Sequence, residues 1–111
     1  MYRNLRFIYI TTSTKKEARA IGRVLVEENL AACANILEGM ESIYKWKGEI
    51  EEATECVLIA KTHQSRVKKL TKRVLELHSY DCPCVISLPL SEEEGNDEYL
   101  DWIEKVSKES F

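Results

Sequence analysis

The stretch that decides the fold is residues 34–62, ANILEGMESIYKWKGEIEEATECVLIAKT. Ser42-Ile43-Tyr44-Lys45-Trp46 is β-branched and aromatic, as strands are, and Lys47-Gly48-Glu49 supplies a turn. Ile50 to Thr62 then runs back as a second strand. Its core, Cys56-Val57-Leu58-Ile59-Ala60, is apolar at every position, so both faces of that strand are expected to be covered. Taken from Ala34 to Thr62 the pair is a hairpin of about 14 residues a side, or roughly 45 Å at about 3.3 Å per residue. A lone domain of this size is narrower than that. An overhanging tip carrying Tyr44, Trp46 and Ile50 therefore predicts self-association.

The flanks supply the rest of the architecture. Leu5 to Thr12 reads as a strand, stopped by Ser13 and Thr14. Thr14 with Glu17 three residues on fits a capping box, and Ala18, Ile21 and Leu25 share one face of a helix over roughly 14–29. From Gln64, the positions Val67, Leu70, Val74 and Leu77 form the apolar stripe of a second helix. Its other faces carry Arg66, Lys68, Lys69, Lys72 and Arg73, which suit either a solvated face or an anion. Cys84 to Leu90 reads as a fourth strand. Asn96 or Asp97 can cap a last helix whose inner face is expected to hold Tyr99, Ile103 and Val106. The order β-α-β-β-α-β plus a helix predicts an α+β, ferredoxin-like βαββαβ sandwich spanning residues 1–111 as one domain.

Composition narrows the function classes. Of 111 residues, 44% are hydrophobic and 32% charged, the balance of a globular domain. Sixteen Lys and Arg against 19 Asp and Glu leave a net charge of −3, which argues against nucleic acid as a partner. No apolar run approaches the roughly 20 residues needed to cross a bilayer, so no membrane partner is expected. The start, MYRNLRFIYITT, lacks an apolar segment followed by a small-residue cleavage site, and a cytoplasmic location is expected. Cysteines at 33, 56, 82 and 84 read as reduced thiols rather than a disulfide framework.

Several motifs stand in register along the chain. They are Leu30-Ala31-Ala32-Cys33-Ala34-Asn35-Ile36; then Ser42, Tyr44, Trp46, Gly48 and Ile50; then Glu55 and Lys61-Thr62; then His78, Tyr80 and Pro83; and finally Tyr99-Leu100 with Trp102-Ile103. Together they resemble the CutA divalent-cation-tolerance proteins. The resemblance implies a homotrimer, similar in architecture to the PII signalling proteins, whose long hairpins pair across subunits. It also implies a link to tolerance of copper and other divalent ions, with copper bound in some members, and no catalytic turnover.

The resemblance places Cys33 at the family's cysteine, where a soft thiolate suits copper or zinc and a small buried residue suits close packing. His78 ends the second helix, where a neutral ring can ligate copper and a charged one would favour the helix C-terminus. Many family members read H-P-Y-E-x-P-E; here Ser79, Asp81 and Cys84 replace the first proline and both glutamates. Some copper-binding members carry a cysteine and a further histidine where this chain has Thr11 and Leu77. Cys82 and Cys84 add soft donors of their own and face one side if Pro83 keeps them extended. The candidate metal ligands are thus Cys33, His78, Cys82 and Cys84, with copper or another divalent ion as the ligand. Tyr44, Trp46, Lys61, Tyr80, Pro83 and Tyr99 are expected at a cleft or interface. There Lys61 holds an anion or pairs with Glu55 or Asp81, and His63 is a cap or simply exposed. Two alternatives stay open: a PII-like sensor of a small anion or nucleotide in the inter-subunit cleft, and a trimeric scaffold for another protein.

Overall fold

β1, Leu5–Thr12, is the first strand, with the bounds expected of it. It leads through Thr14 into α1, Lys15–Glu27. The Thr14 hydroxyl accepts the Glu17 N–H at 3.1 Å, and the Glu17 carboxylate reaches back to the Ser13 N–H at 3.2 Å, one residue before the cap. The helix ends because Asn29 turns left-handed at φ 58°. Leu30 N–H then bonds the Leu25 carbonyl at 2.8 Å and Asn29 N–H that of Val26 at 3.1 Å, a Schellman stop sealed by the buried pair Leu25 and Leu30. β2, Cys33–Trp46, and β3, Glu49–His63, form the long hairpin. Their turn is two residues, Lys47 and Gly48, both at positive φ, as a hairpin of right-handed twist requires. A single 3₁₀ turn leads into α2, Val67–Leu77, followed by β4, Val85–Pro89, and α3, Asp97–Lys108. This is a computed structural model, and it describes residues 3–108.

The strands form one antiparallel sheet in the order β2-β3-β1-β4, the expected ferredoxin-like arrangement. Register puts Ile8 opposite Ala60, Ile10 opposite Leu58, and Ile36 opposite Leu58 on one face. Ala18, Ile21 and Leu25 of α1, with Leu70 and Val74 of α2, close over that face as a buried cluster. Gly22 lets α1 approach: a Cβ there would stand 3.1 Å from Leu58 Cδ1 and 3.2 Å from Ala34 Cβ.

The opposite face is only partly covered. α3 seals one end, where Leu100 and Ile103 pack with Leu5 and Ala32. This corrects the expected inner face of α3. Ile103 is buried as expected, and Val106 packs beside the cluster, but Leu100 and Ser107 complete the buried stripe and Tyr99 turns outward. Beyond α3 the sheet lies open. Leu37 is 59% exposed, Ile86 49%, Leu88 48% and Trp46 50%. Between Leu37 and Met40 the register slips, so that Glu38 and Gly39 stand against Cys56. This bulge keeps Met40, Ser42, Tyr44 and Trp46 on the same face as Leu37. The hairpin outruns the sheet, because β3 pairs with β1 only from Cys56 to His63. The long axis reaches 46 Å and the radius of gyration is 14.7 Å, against about 13 Å for a compact chain of this length.

Candidate functional site

HSYDCPCV, residues 78–85, joins α2 to β4. His78 caps α2 by giving its N–H to the Val74 carbonyl at 2.9 Å. Its side chain is wholly buried. Nδ1 accepts the Tyr80 N–H at 3.0 Å, which assigns the ring proton to Nε2, and Nε2 donates to the Thr11 carbonyl at 2.7 Å. Both ring nitrogens of this candidate ligand are therefore engaged within the chain. Glu17 fastens the same loop: one of its oxygens accepts the Ser79 N–H at 2.7 Å and lies 3.8 Å from His78 Nδ1. Burial alone would raise the Glu17 carboxyl, but the hydrogen bonds from Ser79 and Ser13 and the nearby His78 outweigh it and hold the pKa below the ordinary value.

Past His78 the chain turns onto the open sheet face. Tyr80 stacks 4.8 Å from the His78 ring and donates its hydroxyl to Glu55 Oε2 at 2.8 Å. Burial, together with that carboxylate, pushes the phenol up to about 12, so it stays protonated and remains a donor. Tyr80, Cys82 and Cys84 form one wall of a cavity of about 720 Å³. The hairpin supplies the other wall with Met40, Tyr44 and Trp46, and Tyr9 lies at its floor, where its hydroxyl meets the Met40 thioether at 3.3 Å. Glu55 and Asp81 add carboxylates. Cys82 is exposed and Cys84 half-buried, both as free thiols. Burial, then the Glu55 charge, raises the Cys84 thiol, with a hydrogen bond involving Thr11 acting the other way.

The structure thus brings Tyr44, Trp46, Tyr80, Cys82 and Cys84 to one cavity and leaves the other candidates outside it. Cys33 starts β2 opposite Lys61, and its Sγ lies 3.5 Å from Asn35 Oδ1. Pro83 is half-buried in the loop. Lys61 pairs with neither Glu55 nor Asp81: it donates to the Tyr99 hydroxyl at 3.0 Å and sits 5.2 Å from the centre of that ring. His63 acts as a cap, its Nδ1 accepting the Ser65 N–H at 3.0 Å. Met40, Tyr9 and Glu17 had not been singled out for the site. Only strand register could have joined the first two to Cys82 and Cys84, because they lie on different strands. Glu17 was visible as a capping residue, but its second oxygen serves a loop far along the chain.

As a metal site the cavity fits in kind and not in number. Thiols and a thioether are the soft donors that monovalent copper prefers. Among the described residues, however, no group of three or more His, Cys, Asp or Glu side chains is placed to hold an ion.

The family model described as CutA1 divalent ion tolerance protein matches residues 6–106. The chain belongs to this family. It is 47% identical over 96 residues to the divalent-cation tolerance protein CutA of Thermus thermophilus, an alignment covering 86% of this chain and 91% of that one. It is 42% identical over 100 residues to the CutA protein of Homo sapiens, where 90% of this chain matches 55% of the relative, so it spans about half of that longer protein. Among solved structures, CutA1 from Oryza sativa superposes with a TM-score of 0.89 at 38% identity, covering 96% of this chain and 95% of that one. The Cut A1 protein of Thermus thermophilus gives 0.86 at 44% identity, covering 91% and 96%. The two Thermus thermophilus names speak of divalent-cation tolerance, and none of the four names a reaction. The resemblance first carried by short motifs is thus a family membership over almost the whole chain.

Proposed function

We propose that this protein acts in tolerance of divalent metal ions, copper among them, as a homotrimer that binds metal without turnover in a reducing, cytoplasmic setting. The observation that carries the reading is the open sheet face, with soft donors clustered at its edge. Leu37, Ile86, Leu88 and Trp46 are apolar side chains that water disfavours, and a second copy offers the same face in return. Cys82 and Cys84 sit where such a neighbour would close the cavity. One chain supplies two thiols and the Met40 thioether, so the remaining ligands come from the neighbouring copy. A bound copper ion would supply Lewis acidity and strong thiolate bonds. The chain's part is to hold the donors, exclude water with Tyr44, Trp46 and Tyr80, and release the Cys84 proton as the metal binds.

His78 and Cys33 then serve mainly structure: His78 locks the loop to β1, and Cys33 packs at the start of β2. The test is copper(I) competition against a chelator of known affinity on reduced protein. Replacing Cys82 and Cys84 together by serine should weaken binding by at least about tenfold. Unchanged affinity in that double variant would overturn the assignment. Binding that weakens by about one hundredfold from pH 7 to pH 5 would accord with release of one thiol proton, and by about ten-thousandfold with release of both.

A further inference from the structure

A second cavity, of about 520 Å³, lies on the helix-covered side of the molecule, away from the thiol cleft. Arg6 and Ser87 reach it from neighbouring strands, His63 and Gln64 from the end of β3 and the turn after it, and Lys68 from the first turn of α2. Arg6 shares its face with Ile8, which packs under the helices, and Ser87 stands opposite Ile8 in β4. A partner covering the open face would therefore leave this cavity accessible.

The lining is one-sided in charge. Arg6 and Lys68 are cations, and among the described residues no carboxylate lines the cavity. That is a concentration of positive charge in a chain whose net charge is −3. His63 borders the cavity as a neutral ring held by hydrogen bonds within the chain. Its Nδ1 accepts from the Ser65 N–H at 3.0 Å, so its proton sits on Nε2. Burial first, then Lys108 and Arg6, hold the ring's pKa below the ordinary histidine value, while Glu104 outside the cavity and a hydrogen bond with the Arg3 backbone act the other way. Arg6 spends one guanidinium nitrogen on the Leu5 carbonyl at 3.0 Å, which braces the group while leaving further N–H donors. Gln64 and Ser87 contribute an amide and a hydroxyl. Two cations with neutral donors around a concave surface match a tetrahedral oxyanion. The cavity falls within the range of about 300–1,000 Å³ usual for small-ligand sites, and so has room for more than a free ion.

We infer that this cavity is a binding site for a small phosphate monoester, with Arg6 and Lys68 meeting the phosphate and Gln64 and Ser87 completing its hydrogen bonds. The site is separate from the thiol cleft and does not rest on the metal reading.

The test is a titration of the ¹⁵N-labelled full chain with two probes, phosphoserine and inorganic phosphate, followed by amide shifts. The expected result is saturable movement of the Ser65, Lys68 and Ser87 amides, with phosphoserine the tighter probe and affinity falling as salt rises. Lys68→Gln, on an exposed side chain, should weaken binding by about tenfold, and Arg6→Gln should do the same. Lys61→Gln, at the other face, should leave it unchanged. Saturable binding of inorganic phosphate as tight as that of phosphoserine would overturn the ester and leave a simple anion site. Shifts that grow linearly with either probe, that persist in Lys68→Gln, or that centre on Lys61 would overturn the site itself.

Discussion

At the scale of single residues, His78 and Glu17 carry the loop on which the thiols sit. His78→Ala would remove two hydrogen bonds and leave the buried Thr11 carbonyl without its donor. It should cost about 2–4 kcal/mol in chemical denaturation, while copper stoichiometry in the folded fraction stays unchanged. A variant of normal stability that has lost its copper would return His78 to the metal. Glu17 gives a pH signature. Folding lowers its carboxyl below 4.5, so its contribution is complete above that pH and is lost as pH falls through the folded value. Glu17→Gln should therefore flatten the acid limb of stability against pH, and an unchanged limb would contradict the role. These residues show how far the sequence could be read. Thr14 and Glu17 announced a cap and His78 announced a helix end, because such signals depend on neighbours in the chain. That the His78 ring would turn to a β1 carbonyl depends on how α2 docks, which no local pattern encodes.

At the scale of elements, the long hairpin was the most legible feature. Its β-branched and aromatic residues, its turn residues and its length are all visible in the sequence, and the long axis of 46 Å matches the reach of about 14 extended residues. The bulge at Glu38 and Gly39 was not, since one extra residue changes no composition, yet it decides that Met40, Tyr44 and Trp46 share a face with Leu37. The inner face of α3 was misread at Tyr99 because Tyr99 and Leu100 are neighbours on the helix and both apolar enough to be buried; the Lys61 amine draws the tyrosine outward. Lys47 takes φ 51° in a turn that favours Asn before Gly. Lys47→Asn should raise the denaturation midpoint by an amount equivalent to about 0.5 kcal/mol. A drop would mean the tip is held by contacts of the Lys47 side chain rather than by turn geometry.

At the scale of the whole molecule, the two faces of the sheet set the account. One is closed by α1 and α2 around Ile21, Leu25, Leu58 and Val74, and it stabilises the chain alone. The other carries large apolar groups at about half exposure, which a free chain in water would not favour. Replacing Leu37 and Ile86 by aspartate should leave the helix-covered core intact and disperse the assembly, seen as a fall in molar mass with helical circular dichroism retained. Trp46→Ala, at the hairpin tip, should weaken assembly in the same direction and to a smaller extent. The measurement that tests the central claim most directly is molar mass by light scattering with copper determined on the same eluting peak, for the reduced wild type and the Leu37→Asp, Ile86→Asp variant. The account predicts a wild-type peak of three chains carrying copper, and a single-chain variant peak that has lost it. A wild-type monomer, or a monomeric variant that keeps its copper in full, would contradict it.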